Sequence, residues 1–118
     1  MPLGLIGSSL GGTAIEMWSP KSVLADCLER DTAAHKGFFK RGGATPSRSG
    51  VLYNSMIAPF TFGPMALRGI NWYQGESNAG EAREYACLFP KMIASWRAAF
   101  QQPFLYFGFV QILSLIHI

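Results

Sequence analysis

Apolar positions along the chain follow two different periods. Residues 3–6 (Leu-Gly-Leu-Ile) and 104–111 are short apolar runs that read as buried strands, and 67–73, which continues the largely apolar run 66–71, is the clearest strand. Between 79 and 100, by contrast, Tyr85, Leu88, Phe89, Met92, Ile93, Trp96 and Phe100 recur at three- and four-residue spacing, leaving Glu81, Glu84, Lys91 and Arg97 to water. That is the stripe of a helix lying on a sheet. Pro90 either kinks this helix or begins a second one. Ser19-Pro20 supplies a cap and a first-turn proline for one or two helical turns through Val23, Leu24, Cys27 and Leu28. Ser49 can cap another short helix carrying Leu52, Tyr53, Met56 and Ile57, which Pro59 ends. Gly42-Gly43 and Pro46-Ser47 mark a surface loop across 40–50, and Pro59, Gly63 and Pro64 a second connection. Strand, helix, strand, helix, strand predicts an α/β fold with a parallel sheet flanked by helices.

Composition changes this picture in one respect. A chain of 118 residues can bury one core, and nothing marks a second domain. An apolar fraction of 49% with only 14% charged residues is rich for a soluble domain, and apolar runs open and close the chain. It reads as an incomplete piece of a longer fold. The net charge of +3 is scattered except at Lys36, Lys40, Arg41 and Arg48, which read as a solvated loop and not as a nucleic-acid surface. No apolar run reaches the ~18 residues a membrane helix needs, and the first residues lack a basic signal-peptide start. Cys27 and Cys87 have no metal-type spacing; the plain expectation is two small buried apolar side chains, with a disulfide in an oxidising compartment as the other case.

Two polar clusters follow predicted strands. In an open α/β sheet that edge is where ligands bind. Gly7-Ser8-Ser9-Leu10-Gly11 fits G-x-S-x-G, the turn that exposes a nucleophilic serine. Ser9 in that role needs a base, but His35 lies in the loop region and His117 near the end, neither where a downstream catalytic histidine belongs. Gly11, Gly12 and Thr13 can instead form a turn whose N–H groups face a ligand oxygen, as in an oxyanion hole; the plainer alternative is a glycine turn that packs strand on helix. In the second cluster, Gln74 could donate a further hydrogen bond to the same oxygen, Gly75 permits a sharp turn, and Glu76, Ser77 and Asn78 could pin the loop. The plainer alternative there is a polar turn with a helix cap at Asn78. Trp18, Trp72 and Tyr73 are expected in the core or a pocket wall.

Taken in order, Pro2-Leu3-Gly4-Leu5-Ile6-Gly7-Ser8-Ser9, Gly11-Gly12-Thr13, Glu16, Trp18-Ser19, then Leu52-Tyr53-Asn54, Met56-Ile57 and Pro59, then Trp72-Tyr73-Gln74-Gly75-Glu76-Ser77-Asn78, the chain resembles the sialate O-acetylesterases of the SGNH hydrolase superfamily. Tyr85, Phe89-Pro90, Ile93, Trp96-Arg97, Phe100, Pro103-Phe104 and Val110-Gln111 resemble the same family's next helix and strand. The resemblance covers residues 1–112 and is most specific in the seven residues from Trp72.

The resemblance implies a three-layer α/β/α fold, of the SGNH or flavodoxin-like kind, that hydrolyses acetyl esters on sugars through a serine acyl-enzyme without a metal or other cofactor. Sialic acid is the favoured sugar, and an extracellular or lysosomal setting is favoured. The family's nucleophile lies in a Gly-Gln-Ser-Asn block and its acid and histidine in an Asp-x-x-His block, neither of which occurs in this sequence. The chain then corresponds to the middle of the domain and is expected to be nearly inactive alone. Gly11 or Gly12 becomes the backbone oxyanion donor and Gln74 the side-chain donor, with Ser9, Glu16, Glu76, Ser77 and Asn78 in support. A tryptophan is common in the family at the position of Leu10, and residues 113–118 match nothing in it, as a non-native terminus would. Two other accounts stand beside this one: an α/β-hydrolase with Ser9 as nucleophile, and a non-catalytic glycan-binding module.

Overall fold

A computed structural model describes residues 2–28 and 49–112. In chain order come a 3-10 turn (Ile15–Trp18), helix α1 (Lys21–Leu28), a π-wound turn (Tyr53–Ile57) running into a 3-10 turn (Ala58–Thr61), strand β1 (Gly69–Trp72), a 3-10 turn (Glu76–Asn78), helix α2 (Ala82–Ala99) and strand β2 (Tyr106–Phe109). The expected basic loop, His35, His117 and the tail 113–118 fall outside the described residues.

Strands β1 and β2 pair in parallel, Gly69 opposite Tyr106 and Trp72 opposite Phe109. Parallel neighbours need a crossover of a dozen or more residues. Helix α2 provides it, burying Leu88, Met92 and Trp96 at four-residue spacing, as the apolar stripe predicted. Each such side chain fully removed from water contributes about 2–3 kcal/mol. Pro90 lies on the exposed side within this helix and neither ends nor restarts it. A proline there costs about 3 kcal/mol of helix stability, which the buried residues on both sides of it offset.

The end of α2 sets the register of the sheet. Gln102 N donates to Arg97 O and Gln101 N to Ala98 O, closing the helix with Gln101 at φ 55°. This is the paired bond pattern that satisfies a helix's last carbonyls. The Gln102 side chain then brackets Leu67, its Oε1 accepting from Leu67 N at 2.9 Å and its Nε2 donating to Leu67 O at 2.8 Å. One amide thus imitates a neighbouring strand just before β1 begins. Arg97 Nε holds Leu105 O at 2.9 Å on the approach to β2.

Trp72 occupies the centre of the core. Its ring meets Trp18 at 5.9 Å and Trp96 at 5.6 Å, both edge to face, and packs near Phe89 and Phe107. Such pairs add about 0.5–1.5 kcal/mol each beyond burial. Together they seat β1 on α2 and on the turn at Ile15–Trp18.

Several expectations are corrected. Residues 3–6 form no strand: Leu3 and Leu5 are 72% and 93% exposed, and the segment is separated from β1 by a cavity of about 330 Å³ lined by Ile6, Ser8, Ile70 and Phe100. A strand exists through its ladder partners, and among the described residues β1 pairs only with β2. The run 104–111 is a strand only at Tyr106–Phe109 and is not fully buried; Phe104, in the turn before β2, is 94% exposed, and Tyr106 and Phe109 at the two ends of β2 are exposed as well. Ser19 does not cap α1. Its hydroxyl donates back to Ile15 O, closing the preceding turn, while Val23 N and Leu24 N bond to Pro20 O. Helical winding from Val51 passes beyond Pro59, which sits in the first turn of the following 3-10 segment, where its missing N–H leaves no carbonyl unsatisfied.

Cys27 and Cys87 are not independent apolar side chains. They form a disulfide joining α1 to α2, with Cα atoms 5.8 Å apart. The helices pack side by side, bringing the two cysteines within the separation a disulfide spans. Nearby, Lys91 Nζ lies 3.3 Å from Asp26 Oδ2, an exposed pair of small energetic weight.

Candidate active site

The two polar clusters meet. After β1, Gly75 at φ 156° and ψ −27° turns the chain into Glu76–Asn78, a backbone conformation that a side chain would oppose. Asn78 is thereby carried into the interior, fully buried, against the other cluster. Its Oδ1 accepts from Ile15 N at 2.9 Å and its Nδ2 donates to Glu16 Oε2 at 3.1 Å. Asn78 is therefore a tie between two loops and not a cap on α2.

These contacts fix the orientation of a second amide. A backbone N–H can only donate, so Ile15 N requires the oxygen of Asn78 on its side and the nitrogen toward Glu16. Gln74 Nε2 then donates to Asn78 Oδ1 at 2.6 Å and to Thr13 O at 3.2 Å. At the other end of the same amide, the Tyr85 hydroxyl donates toward Gln74 Oε1 at 3.2 Å and Gln74 O at 3.3 Å. Reversing the Gln74 amide would set its oxygen against two other acceptors. Glu16, Asn78, Gln74 and Tyr85 form one polar chain leading out from the buried interior, and Gln74 is its member on the cavity wall.

A cavity of about 560 Å³ opens beside this chain, lined by residues 8–13, Trp18, Trp72, Tyr73, Gln74, Glu76 and Ser77. Gly11, Gly12 and Gln74 share that wall. Gly12 has φ 72°, a conformation for which glycine is suited, and among the described residues no backbone hydrogen bond engages the Gly11 or Gly12 N–H. The turn is braced from behind, where Thr13 Oγ1 donates to Leu10 O at 2.8 Å and accepts from Trp18 Nε1 at 2.9 Å.

The other predicted residues are placed as follows. Ser9 lines the cavity and is exposed, with no histidine among the described residues to activate it. Ser8 donates to Met56 O at 2.7 Å. Ser77 and Glu76 line the cavity; Glu76 is exposed and holds the loop through its carbonyl, which accepts from Ala79 N. Tyr73 is exposed at the rim, while Trp18 and Trp72 belong to the core.

Tyr85 is the site residue that sequence reasoning passed over as part of the helix stripe. Its signal was a hydroxyl on the first turn of α2, just after the loop bearing Gln74. Burial pushes that hydroxyl above its ordinary value of 10.0; the Trp72 ring nitrogen opposes this in part and the Glu76 charge adds to it. That nitrogen, Trp72 Nε1, lies near the Tyr85 oxygen but short of regular hydrogen-bond geometry, and it is buried with no other acceptor.

The model of the family described as "Carbohydrate esterase, sialic acid-specific acetylesterase" matches residues 1–117. The sialate O-acetylesterase of Rattus norvegicus is 37% identical over 147 aligned positions, covering 98% of this chain and 27% of that protein. The Homo sapiens sialate O-acetylesterase is 40% identical over 122 positions, covering 96% and 22%. No solved structure matches the chain. It spans about a quarter of the length of the curated relatives it matches. With the match running over nearly every residue, the chain belongs to the sialic acid-specific acetylesterase family of carbohydrate esterases.

Proposed function

We propose that this chain is the central part of an esterase domain that removes acetyl groups from sugar hydroxyls, with O-acetylated sialic acid as substrate. The chain belongs to that domain, a three-layer α/β/α fold in the longer protein; the family match extends through residue 117, past the boundary at 112 that the sequence suggested. The observation that carries this reading is the convergence of the Gly11-Gly12 turn and Gln74 on one cavity, tied from behind through Asn78 and Glu16.

Attack of a serine hydroxyl on the acetyl carbonyl turns the carbonyl oxygen into an oxyanion. Donors already aimed at that point stabilise it without reorganising. Gly11 or Gly12 offers a backbone N–H there. Gln74 offers its amide by exchanging the longer of its two bonds, the one to Thr13 O, for the oxyanion. The serine's proton passes to the histidine; collapse breaks the ester C–O bond and the departing sugar oxygen takes that proton, and water, deprotonated in turn by the histidine, then releases acetate from the acyl-serine. The serine and its histidine come from the Gly-Gln-Ser-Asn and Asp-x-x-His blocks of the longer protein, so this chain alone is nearly inactive. Ser9 supports the cavity wall and is not the nucleophile. The Cys27–Cys87 disulfide supports an extracellular or lysosomal setting.

The test is acetate release from an O-acetylated sialoside by the full-length protein. Gln74→Ala is expected to lower kcat about 10²- to 10³-fold, the usual effect of losing one oxyanion donor, while Ser9→Ala retains most activity. An unchanged rate in Gln74→Ala removes Gln74 from the mechanism.

A further inference from the structure

We infer that Tyr85 is a positioning residue for the oxyanion donor: its hydroxyl, 3.2 Å from Gln74 Oε1, holds the Gln74 amide with its nitrogen toward the cavity while the bond to Thr13 is exchanged for substrate. This rests on the reading of Gln74 as a donor and adds a residue that such a reading does not require.

The argument follows from what remains bonded when Gln74 acts. At rest its amide has three anchors: Thr13 O and Asn78 Oδ1 on the nitrogen, and the Tyr85 hydroxyl on the oxygen. Giving one N–H to an oxyanion removes the Thr13 anchor and leaves two. Asn78 Oδ1 alone fixes one point and lets the amide swing about that bond. A second anchor at the opposite end of the amide fixes its plane. Tyr85 is the residue that makes this contact, and only its protonated form can donate to an amide oxygen.

The placement of Tyr85 suits the task. It sits on the first turn of α2, half-buried, with its ring edge to face against Phe89 at 5.3 Å. The helix is tethered to α1 by the Cys27–Cys87 disulfide two residues further along. The hydroxyl is thus carried by a rigid element and not by the loop it supports. Burial keeps it protonated at neutral pH.

Tyr85→Phe in the full-length protein retains the ring packing and removes only the hydroxyl. The expected result is a kcat lowered about tenfold, the equivalent of one neutral hydrogen bond, with KM within about twofold of the parent. In a Gln74→Ala background, the same change lowers kcat less than about twofold, because the group it positions is gone. Thermal midpoints of all variants are measured alongside, since a purely structural role moves the midpoint equally in both backgrounds and leaves the kcat effects independent. If Gln74→Ala lowers kcat but Tyr85→Phe does not, or its effect is the same in both backgrounds, the positioning role is overturned and the donor reading survives. If Gln74→Ala leaves kcat unchanged, the donor reading fails and the positioning role with it.

Discussion

Asn78 Nδ2 meets Glu16 Oε2 at 3.1 Å across 62 residues of sequence, with both residues wholly removed from solvent. A buried carboxylate needs a donor, and a buried amide needs both of its ends occupied. Each residue answers the other's requirement, and the pair ties the two loops together beside the bonds Ile15 N to Asn78 Oδ1 and Gln74 Nε2 to Thr13 O.

Asn78→Ala is therefore expected to be costly. It removes one hydrogen bond from each of Ile15 N, Gln74 Nε2 and Glu16 Oε2, and stability should fall by about 3 kcal/mol as read by denaturant midpoint. Asn78→Asp is the sharper test, because it retains the acceptor for Ile15 and Gln74 but sets one carboxylate oxygen against another. Such a pair shares a proton, which raises its folded-state pKa above the unfolded value of about 4. The variant should be closest to the parent near pH 4 and lose stability as pH rises through the raised value. A deficit that does not change with pH would show that Glu16 does not face the new carboxylate.

The disulfide gives an independent prediction. Cys27 and Cys87 are 60 residues apart in sequence, and closing a loop of that length removes enough unfolded-chain entropy to stabilise the fold by about 4 kcal/mol in the simple chain model. Cys27→Ser with Cys87→Ser should lower the denaturant midpoint by an amount of that order. Treatment of the parent with reductant should produce the same shift. If reductant shifts the parent but leaves the double variant unaffected, the bond is the cause; a parent that does not respond to reductant has no such bond to lose.

How much of this was legible in the chain differs from element to element. Helix α2 could be read because a stripe of seven apolar residues at helical spacing survives any change of neighbours, and even Pro90 did not interrupt it. Strand β1 and its parallel partner followed from two short, largely apolar segments separated by a crossover. Residues 3–6 were misread for the opposite reason: an apolar run records a preference for burial, and whether it becomes a strand depends on a ladder partner that its own sequence does not specify. Gln74 and Asn78 were legible as polar residues, and Gly12 as a turn residue, just past such segments. Their pairing was not. That Asn78 contacts Ile15 and Glu16, or that Tyr85 reaches back to Gln74, depends on tertiary placement, and no local spacing encodes it. The disulfide was open for the same reason, since two cysteines without a motif carry no record of their separation in space.

Tyr85 also makes the fold sensitive to alkali. Its hydroxyl faces two oxygens of Gln74, so the neutral form donates where the ionised form would place a negative charge against acceptors. Burial acts in the same direction and lifts its pKa above 10.0. A folded-state pKa raised above the unfolded value means that the folded protein binds more protons in the interval between them, so stability falls as pH rises there. The contribution is intact below pH 10 and is lost as pH climbs through the raised value. Denaturant midpoints of the parent should accordingly drop faster as pH rises above 10 than those of Tyr85→Phe, which has no proton to lose at this position. The difference ultraviolet spectrum between the two should develop its tyrosinate band only above pH 10. Parallel decline of the two proteins, or a tyrosinate band with its midpoint at or below 10, would mean that the hydroxyl is in water and not against Gln74.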